Sequence, residues 1–148
     1  MSEKKDASCV FRVVVAGVIV KKGKVLLLQR RKDEEVFPRM WELPSGKREF
    51  GENSTEAVIR EVKEETNLSV IVGSPISVFE YVVKTPKEIR DTTQINFLAF
   101  LRGQNQTVRI NHAEHQTARW FTRDELISLG NISKETRKCI LATLKSHE

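Results

Sequence analysis

Three glutamates, Glu61, Glu64 and Glu65, lie within five residues of one another. If the segment is helical, a rotation of about 100° per residue gathers their side chains within an arc of roughly 100°. Lys63 points to the opposite side and cannot neutralise them there. Like charges at this spacing repel each other, whereas carboxylate oxygens are the ligands that Mg²⁺ and Mn²⁺ prefer. The pattern therefore indicates either a solvated acidic helix face or a site for a divalent cation.

The residues around these glutamates favour the cation site. Ala57, Val58 and Val62 border the same helix face, which would place the carboxylates at the rim of the hydrophobic core. A glycine-containing segment, residues 44–47, lies upstream, and one of its backbone carbonyls could complete a metal coordination shell. These residues predict a divalent-cation site built on a helix.

The helix that carries the glutamates has clear end signals. Asn53, followed three residues later by Glu56, forms a capping box, which predicts the start of a helix. The helix is expected to run to about Thr66, where Asn67 can take the left-handed conformation that ends helices.

The remaining elements are mostly strands. Apolar, β-branched segments at residues 10–20 and 25–28 predict two strands joined by a hairpin turn that contains Gly23. Further strands are predicted at residues 41–43, 68–72, 76–83, 93–101, 108–110 and 120–121. A helical turn is predicted after Thr122, and a last helix at residues 133–145. This order predicts a mixed β-sheet covered by helices, of the α/β or α+β class.

Composition and charge exclude several classes of protein. The 148 residues, 39% hydrophobic and 30% charged, are typical of one globular domain, expected at residues 10–148 after a polar tail at residues 1–9. No apolar run approaches the roughly 20 residues that span a membrane, so no membrane partner is expected. The polar start is not expected to be a secretory signal, and two cysteines do not make a disulfide framework, so a cytoplasmic location is expected. The net charge of +5 permits polyanionic partners without naming one.

One spacing pattern in the sequence resembles the motif of a known family, the Nudix box. That motif reads Gly, five residues, Glu, seven residues, Arg-Glu-aliphatic, one residue, Glu-Glu, one residue, Gly-aliphatic. The chain matches eight of the nine specified positions over 23 residues. The matching residues are Gly46, Glu52, Arg60, Glu61, Val62, Glu64, Glu65 and Leu68. The departure is Asn67, which replaces the second glycine and is the next-best residue for a left-handed helix cap.

The resemblance implies an α/β/α sandwich that hydrolyses a nucleoside diphosphate linked to another moiety. It also implies that Glu61, Glu64 and Glu65 bind Mg²⁺ or Mn²⁺, with the carbonyl oxygen of Ser45 as a further ligand. A glutamate then accepts a proton from the attacking water. Glu61 and Glu64 are candidates for this step, and so is Glu114, which lies in a later loop. The alternative interpretation of Glu114 is an ordinary solvated acid.

Two further residues of the motif have a structural interpretation. Glu52 and Arg60 are eight residues apart, so their side chains can bridge the loop and the helix as an ion pair. Such a pair would fix the orientation of Glu61. Together with Gly46, these residues are expected to support the site rather than to react.

Basic and aromatic residues are candidates for holding the substrate. Arg30, Arg31 and Lys47 suit phosphate oxygens. Alternation along a strand sends Arg30 and Arg31 to opposite faces, and we expect Arg31 to face the site. Trp41 is a candidate for stacking on a base, although aromatic residues in strands more often belong to the core.

Two histidines raise the question of a zinc site. His112 and His115 flank Glu114, but neither a cysteine nor a third histidine is nearby in the sequence. Since zinc is usually held by three or four nitrogen or sulfur ligands, zinc is not expected here.

The function predicted is the metal-dependent hydrolysis of a nucleoside triphosphate, canonical or oxidised, to a monophosphate and pyrophosphate. ADP-ribose, other nucleoside diphosphate sugars, dinucleoside polyphosphates and capped RNA are alternative substrates. A different class is a nucleotide- or RNA-binding domain without turnover, which the positive charge permits and the complete set of glutamates disfavours. A small-molecule nucleotide is the partner expected, nucleic acid is not favoured, and the chain is expected to be a monomer or a homodimer.

Overall fold

The first strand of the chain, β1 (Ser8–Lys21), lies at the centre of a seven-stranded sheet. The computed structural model describes residues 8–146 of the chain. The further elements, in chain order, are β2 (Lys24–Arg30), β3 (Trp41–Glu42), β4 (Ser45–Lys47), α1 (Ser54–Thr66), β5 (Val70–Lys84), β6 (Glu88–Leu101), β7 (His115–Thr122), α2 (Arg123–Ser128) and α3 (Lys134–Ser146). Within the described residues, no helix combines the length and the hydropathy needed to cross a membrane.

The sheet is mixed, as predicted. Strand β1 runs parallel to β6 and antiparallel to β4, while its last residues pair with β2. Strand β5 is antiparallel to β6, and both β3 and β7 are antiparallel to β2. The hairpin between β1 and β2 turns at Lys22 and Gly23, which have φ angles of 49° and 73°. Positive φ at both positions matches the right-handed twist of the two strands.

Helices cover both faces of this sheet. Because side chains alternate along β1, Val15 and Ile19 enter one buried core and Ala16 and Val18 enter the other. The first core is completed by Ala57, Val58 and Val62 of α1. The second core is completed by Leu126 of α2 and by Cys139, Ile140 and Leu144 of α3. The chain is therefore an α/β sandwich, with α1 on one side and α2 and α3 on the other.

The helix with the glutamates has the predicted ends. The side chain of Asn53 accepts a hydrogen bond from the backbone N–H of Glu56, and the Glu56 side chain accepts one from the backbone of Asn53. Asn67 ends the helix in the left-handed conformation, with φ of 67°, and its N–H donates to the carbonyl of Lys63. The predicted caps of α2 and the predicted extent of α3 are also confirmed.

Four strand predictions need correction. Residues 68–72 and 76–83 do not form two strands but belong to one strand, β5, whose pairing with β6 is irregular between Val72 and Ser77. Residues 108–110 are not a strand, because Val108 and Ile110 pack against the first core without a pairing partner. Strand β4 was not predicted. Strand β1 begins at Ser8, inside the expected tail, and residues 1–7 lie outside the described residues.

Candidate active site

A cleft of about 970 Å³ opens beside α1. Side chains from every strand and from α1 and α3 contribute to its walls. Glu42, Glu61, Glu65, Glu114 and His115 are among them. The sheet therefore brings acidic groups from β3, from α1 and from the segment before β7 to one cavity.

Two of the three helical glutamates point into the cleft and are largely withdrawn from water. The side chains of Glu61 and Glu65 are 14% and 7% exposed. Burial raises the pKa of Glu65 well above its usual range, against the opposing hydrogen bond that its Oε1 accepts from the backbone N–H of Ser45 at 2.7 Å. Burial also raises the pKa of Glu61, although the neighbouring Arg60 acts in the opposite direction. Both carboxylates thus lie where a bound cation would offset their desolvation.

The carboxylate of Glu61 lies directly over Gly46 in β4. A β-carbon at position 46 would be 2.1 Å from Cδ of Glu61 and 2.3 Å from each carboxylate oxygen. Any side chain at position 46 would have to displace the Glu61 carboxylate, so glycine is needed there to keep this close approach.

Arg60 connects the loop before α1 to these carboxylates. Its Nε and Nη2 donate to the two carboxylate oxygens of Glu52 at 2.7 and 2.9 Å, and its Nη1 donates to Oε1 of Glu61 at 2.7 Å. The hydrogen bonds from Arg60 lower the pKa of Glu52 to about 2. Nη2 of Arg60 also donates to the carbonyl of Lys47 at 3.1 Å. The ion pair expected from the spacing of Glu52 and Arg60 is present and reaches both β4 and Glu61.

Glu64 occupies a different position from Glu61 and Glu65. Its side chain is 57% exposed, it does not line the cleft, and its Oε2 is 3.3 Å from Nη1 of Arg60. Since Nη1 also contacts Glu61, the carboxylates of Glu61 and Glu64 meet at one guanidinium nitrogen. The structure therefore brings Glu64 to the outer rim of the site and not into its interior.

The loop before β7 brings Glu114 and His115 to the cleft. One ligand atom each from Glu65, Glu114 and His115 lie within 4.8 Å of one another. His115 is buried; the sequence did not predict a zinc site there because neither a cysteine nor a third histidine lies near His112 and His115. Its neighbours in space are carboxylates from β3 and α1, Glu42 and Glu65. Glu42 was not among the site residues predicted from the sequence. It lies beside His115 because β3 and β7 both pair with β2.

The prediction that Arg31, rather than Arg30, faces the site is wrong. Arg30 lines the cleft and contacts Glu42, with Nη1 3.2 Å from Oε1. Arg31 instead donates to both carboxylate oxygens of Asp33, at 2.8 and 2.9 Å, and to the carbonyl of His112. Strand β2 ends at Arg30 and its register shifts there, so strand alternation does not decide where Arg31 points.

The other two substrate-binding candidates line the cleft. Lys47 is exposed at the end of β4. Trp41 is half-buried, and its ring packs edge-on against Phe121 at a centroid distance of 4.9 Å. Trp41 thus contributes to the second core and to the wall of the cleft at once.

The donors in the cleft fit a hard divalent cation. Glu61, Glu65 and Glu114 offer carboxylate oxygens, two of them from largely buried groups, and this is the ligand chemistry that Mg²⁺ and Mn²⁺ prefer. A cation held there, beside the basic side chains of Arg30 and Lys47, would bind the phosphates of an anionic substrate.

Comparisons with known proteins identify the family of this chain. The family model described as the NUDIX domain matches residues 10–142. The chain is 30% identical over 132 residues to the nucleoside triphosphatase NudI of Enterobacter sp. strain 638, covering 85% of this chain and 92% of that protein. It is 38% identical over 113 residues to the 8-oxo-dGTP diphosphatase of Buchnera aphidicola, covering 76% and 78%. The crystal structure of the MutT protein from Methanosarcina mazei superimposes with a TM-score of 0.75 at 20% identity, covering 97% of this chain and 98% of that one.

Proposed function

The chain belongs to the Nudix family, and from this premise we propose that it hydrolyses nucleoside triphosphates, canonical or oxidised, to monophosphate and pyrophosphate with the help of Mg²⁺ or Mn²⁺. The single observation that carries the proposal is the convergence of Glu61, Glu65 and Glu114 on one cleft, where burial keeps the first two from full hydration. A cation stabilises carboxylates held in this way, and Arg60 supplies one to Glu61.

Within this proposal the acidic residues hold the cation. Glu61, Glu65 and Glu114 bind it, the carbonyl of Ser45 is a further ligand, and Glu64 reaches it from the outer rim. When bound, the ion offsets the negative charge of the diphosphate and lowers the pKa of a coordinated water. Glu61 or Glu114 would accept a proton from the attacking water, and a positioned base of this kind accelerates a reaction by about 10²–10⁴-fold.

Other side chains of the cleft bind and orient the nucleotide. Arg30 and Lys47 lie where they can donate to the phosphate oxygens. Trp41 presents one part of its ring system to the cleft and can stack on the base. Glu52 and Arg60 hold Glu61 in place, and their role is positioning.

Triphosphates are favoured as the substrate class because NudI is named a nucleoside triphosphatase and the Buchnera relative an 8-oxo-dGTP diphosphatase. Both relatives are matched over more than three quarters of their length. We further propose that residues 10–148 act as one hydrolase domain, as a monomer or homodimer in the cytoplasm.

A substrate panel tests this proposal. Purified protein with Mg²⁺ is incubated with the eight canonical nucleoside triphosphates, 8-oxo-dGTP, ADP-ribose and diadenosine tetraphosphate, and the products are identified by mass. We expect monophosphate and pyrophosphate from at least one triphosphate, and no turnover by the double variant E61Q/E65Q. Cleavage of ADP-ribose alone would overturn the substrate class. Turnover of no compound, together with tight metal-independent binding of RNA, would overturn the enzymatic function.

A further inference from the structure

Among residues 8–146, neither ring nitrogen of the His115 imidazole has a hydrogen-bond partner, although the residue is only 1% exposed. Buried polar groups in folded proteins are nearly always hydrogen-bonded, and each exception needs a physical explanation. His115 lies at the first position of β7, opposite Arg30 of β2, so the backbone holds the ring at the cleft.

The ring lies between two carboxylates and touches neither. Nδ1 is 3.9 Å from Oε2 of Glu65, and Nε2 is 3.7 Å from Oε2 of Glu42. Both separations exceed a hydrogen bond, whose donor–acceptor distance is about 2.7–3.2 Å. Glu65 lies on the Nδ1 side of the ring, and one ligand atom each from Glu65, Glu114 and His115 lie within 4.8 Å of one another. Three atoms at this spacing can all reach a single ion at ligand distances of about 2.0–2.2 Å after small side-chain movements.

We propose that His115 is a direct ligand, through Nδ1, of a divalent transition-metal ion that Glu65 and Glu114 also bind, while Glu42 accepts a hydrogen bond from Nε2. This inference adds one nitrogen ligand to the proposed metal site. It rests on the proposed function in one respect, because both place a metal ion in the same cleft. A neutral imidazole has one nitrogen with a lone pair and one N–H. Histidines that bind metals in proteins commonly donate that N–H to a carboxylate, which fixes the ring orientation.

A nitrogen ligand changes which ion the cleft prefers. Imidazole suits transition metals such as Zn²⁺ and Fe²⁺ best; Mn²⁺, which also prefers oxygen, is the weakest of this series for nitrogen but accepts it more readily than Mg²⁺, which favours oxygen donors and keeps several of its waters. The site formed by Glu65, Glu114 and His115 has two oxygen donors and one nitrogen donor. It therefore binds Mn²⁺ more tightly than Mg²⁺, and His115 is the residue responsible for the difference.

Pulsed electron paramagnetic resonance of the Mn²⁺-loaded protein tests this inference without any measurement of turnover. The chain has three histidines, so the double variant H112Q/H147Q retains only His115. We expect this double variant to show nitrogen modulation from an imidazole bound to Mn²⁺, with the pattern changing when histidine is labelled with ¹⁵N. Absence of that modulation would overturn the proposal, and this test does not require His115 to be altered.

Calorimetric titration of H115Q with Mn²⁺ and with Mg²⁺ gives a second test, with H112Q as the matched control on the exposed side of the same loop. We expect H115Q to bind Mn²⁺ about 10- to 100-fold more weakly, to bind Mg²⁺ with a change of less than about threefold, and to lose the nitrogen modulation. Equal losses for both ions, or modulation that persists in H115Q, would overturn the proposal. A protein that cleaved no nucleotide and still showed the His115 signal would refute the proposed function alone.

Discussion

Gly46 and Glu61 are in such close contact that a β-carbon on Gly46 would lie 2.1 Å from Cδ of Glu61. Gly46 does not have a positive φ angle, so its requirement is one of space and not of backbone conformation. The side chain of Glu61 folds back over β4 into the gap left by the missing β-carbon, and Arg60 holds it there at 2.7 Å. The position of one proposed metal ligand therefore depends on the absence of a side chain in the preceding strand, β4.

The variant G46A tests this relationship. The added methyl group must displace the Glu61 carboxylate, and a displacement of about 1 Å in an active site can reduce turnover by roughly a hundredfold. Since the displaced group is the end of a flexible side chain, Tm is expected to change by less than about 3 °C. The control is G103A, because a β-carbon on Gly103 meets nothing within 4 Å. Wild-type kcat in G46A would show that the position of Glu61 does not matter.

Glu52 is expected to act on catalysis through Arg60. It accepts two hydrogen bonds from Arg60, and E52Q weakens both, so that Arg60 no longer fixes Glu61. Loss of such an outer partner typically costs about 10–100-fold in activity or metal affinity, and we expect E52Q to lower kcat by this amount.

Glu49 provides the control for E52Q on the same arginine. Its carboxylate is 3.8 Å from Nη1 of Arg60 and its side chain is 63% exposed. An exposed ion pair at this distance contributes little stabilisation. E49Q should therefore keep nearly wild-type kcat and metal affinity. Equal effects of E49Q and E52Q would indicate a general loss of negative charge instead of positioning.

Glu65 is expected to destabilise the protein when no metal is bound. Its pKa is raised in the folded state, so above that raised value the buried carboxylate costs stability, and the cost disappears as pH falls below the usual value of 4.5. E65Q removes the charge, and the amide oxygen can still accept from the backbone N–H of Ser45. In the absence of metal, Tm of E65Q should exceed that of the wild type by at least about 3 °C at pH 8.

The same E65Q variant should be nearly inactive, since it lacks a proposed metal ligand. The gain in Tm should shrink as pH is lowered toward 4.5, because the wild-type carboxyl group then becomes protonated. E64Q is the matched control on the same helix, and its exposed position predicts no gain in Tm. A decrease of Tm in metal-free E65Q at pH 8 would contradict this account.

Arg30 and Arg31 are expected to differ in their effect on substrate binding. Both arginines have protein partners, Glu34, Glu42 and the carbonyl of Val36 for Arg30 and Asp33 and the carbonyl of His112 for Arg31, but only Arg30 lines the cleft. Loss of one charge-assisted hydrogen bond to phosphate costs about 1.5–3 kcal/mol, so R30Q should raise KM by about tenfold or more. R31Q should leave KM within about twofold of the wild type, and a larger effect of R31Q than of R30Q would contradict the orientation described above.

Local signals in the sequence were sufficient for the helix at the site. The capping box of Asn53 and Glu56, the period of the apolar residues and the left-handed Asn67 act within a few residues, so both ends of α1 could be predicted. The resemblance to the Nudix box also predicted Gly46 as a supporting residue of the site, but not the close approach of Glu61 to it.

The rest of the site depends on tertiary contacts that no local pattern contains. Glu42 and His115 come close to Glu65 only because β3 and β7 both pair with β2. The periodicity of apolar residues within a segment carries no information about which distant strands pair. The direction of Arg31 depends on where β2 ends and on the nearby Asp33. The apolar residues at 108–110 have strand-like composition, but they pack against the first core as irregular chain, with the N–H of Arg109 donating to the carbonyl of Thr66.

The parallel pairing of β1 with β6 has a consequence for how the chain folds. Ser8 is paired with Glu88 and Ile19 with Ala99, so the central strand obtains this neighbour only after some eighty residues of intervening chain have been closed into a loop. Topologies rich in such distant contacts fold slowly. During synthesis, β1 and α1 emerge from the ribosome long before β6 does. Until β6 is available, the apolar side chains of β1 need protection from aggregation.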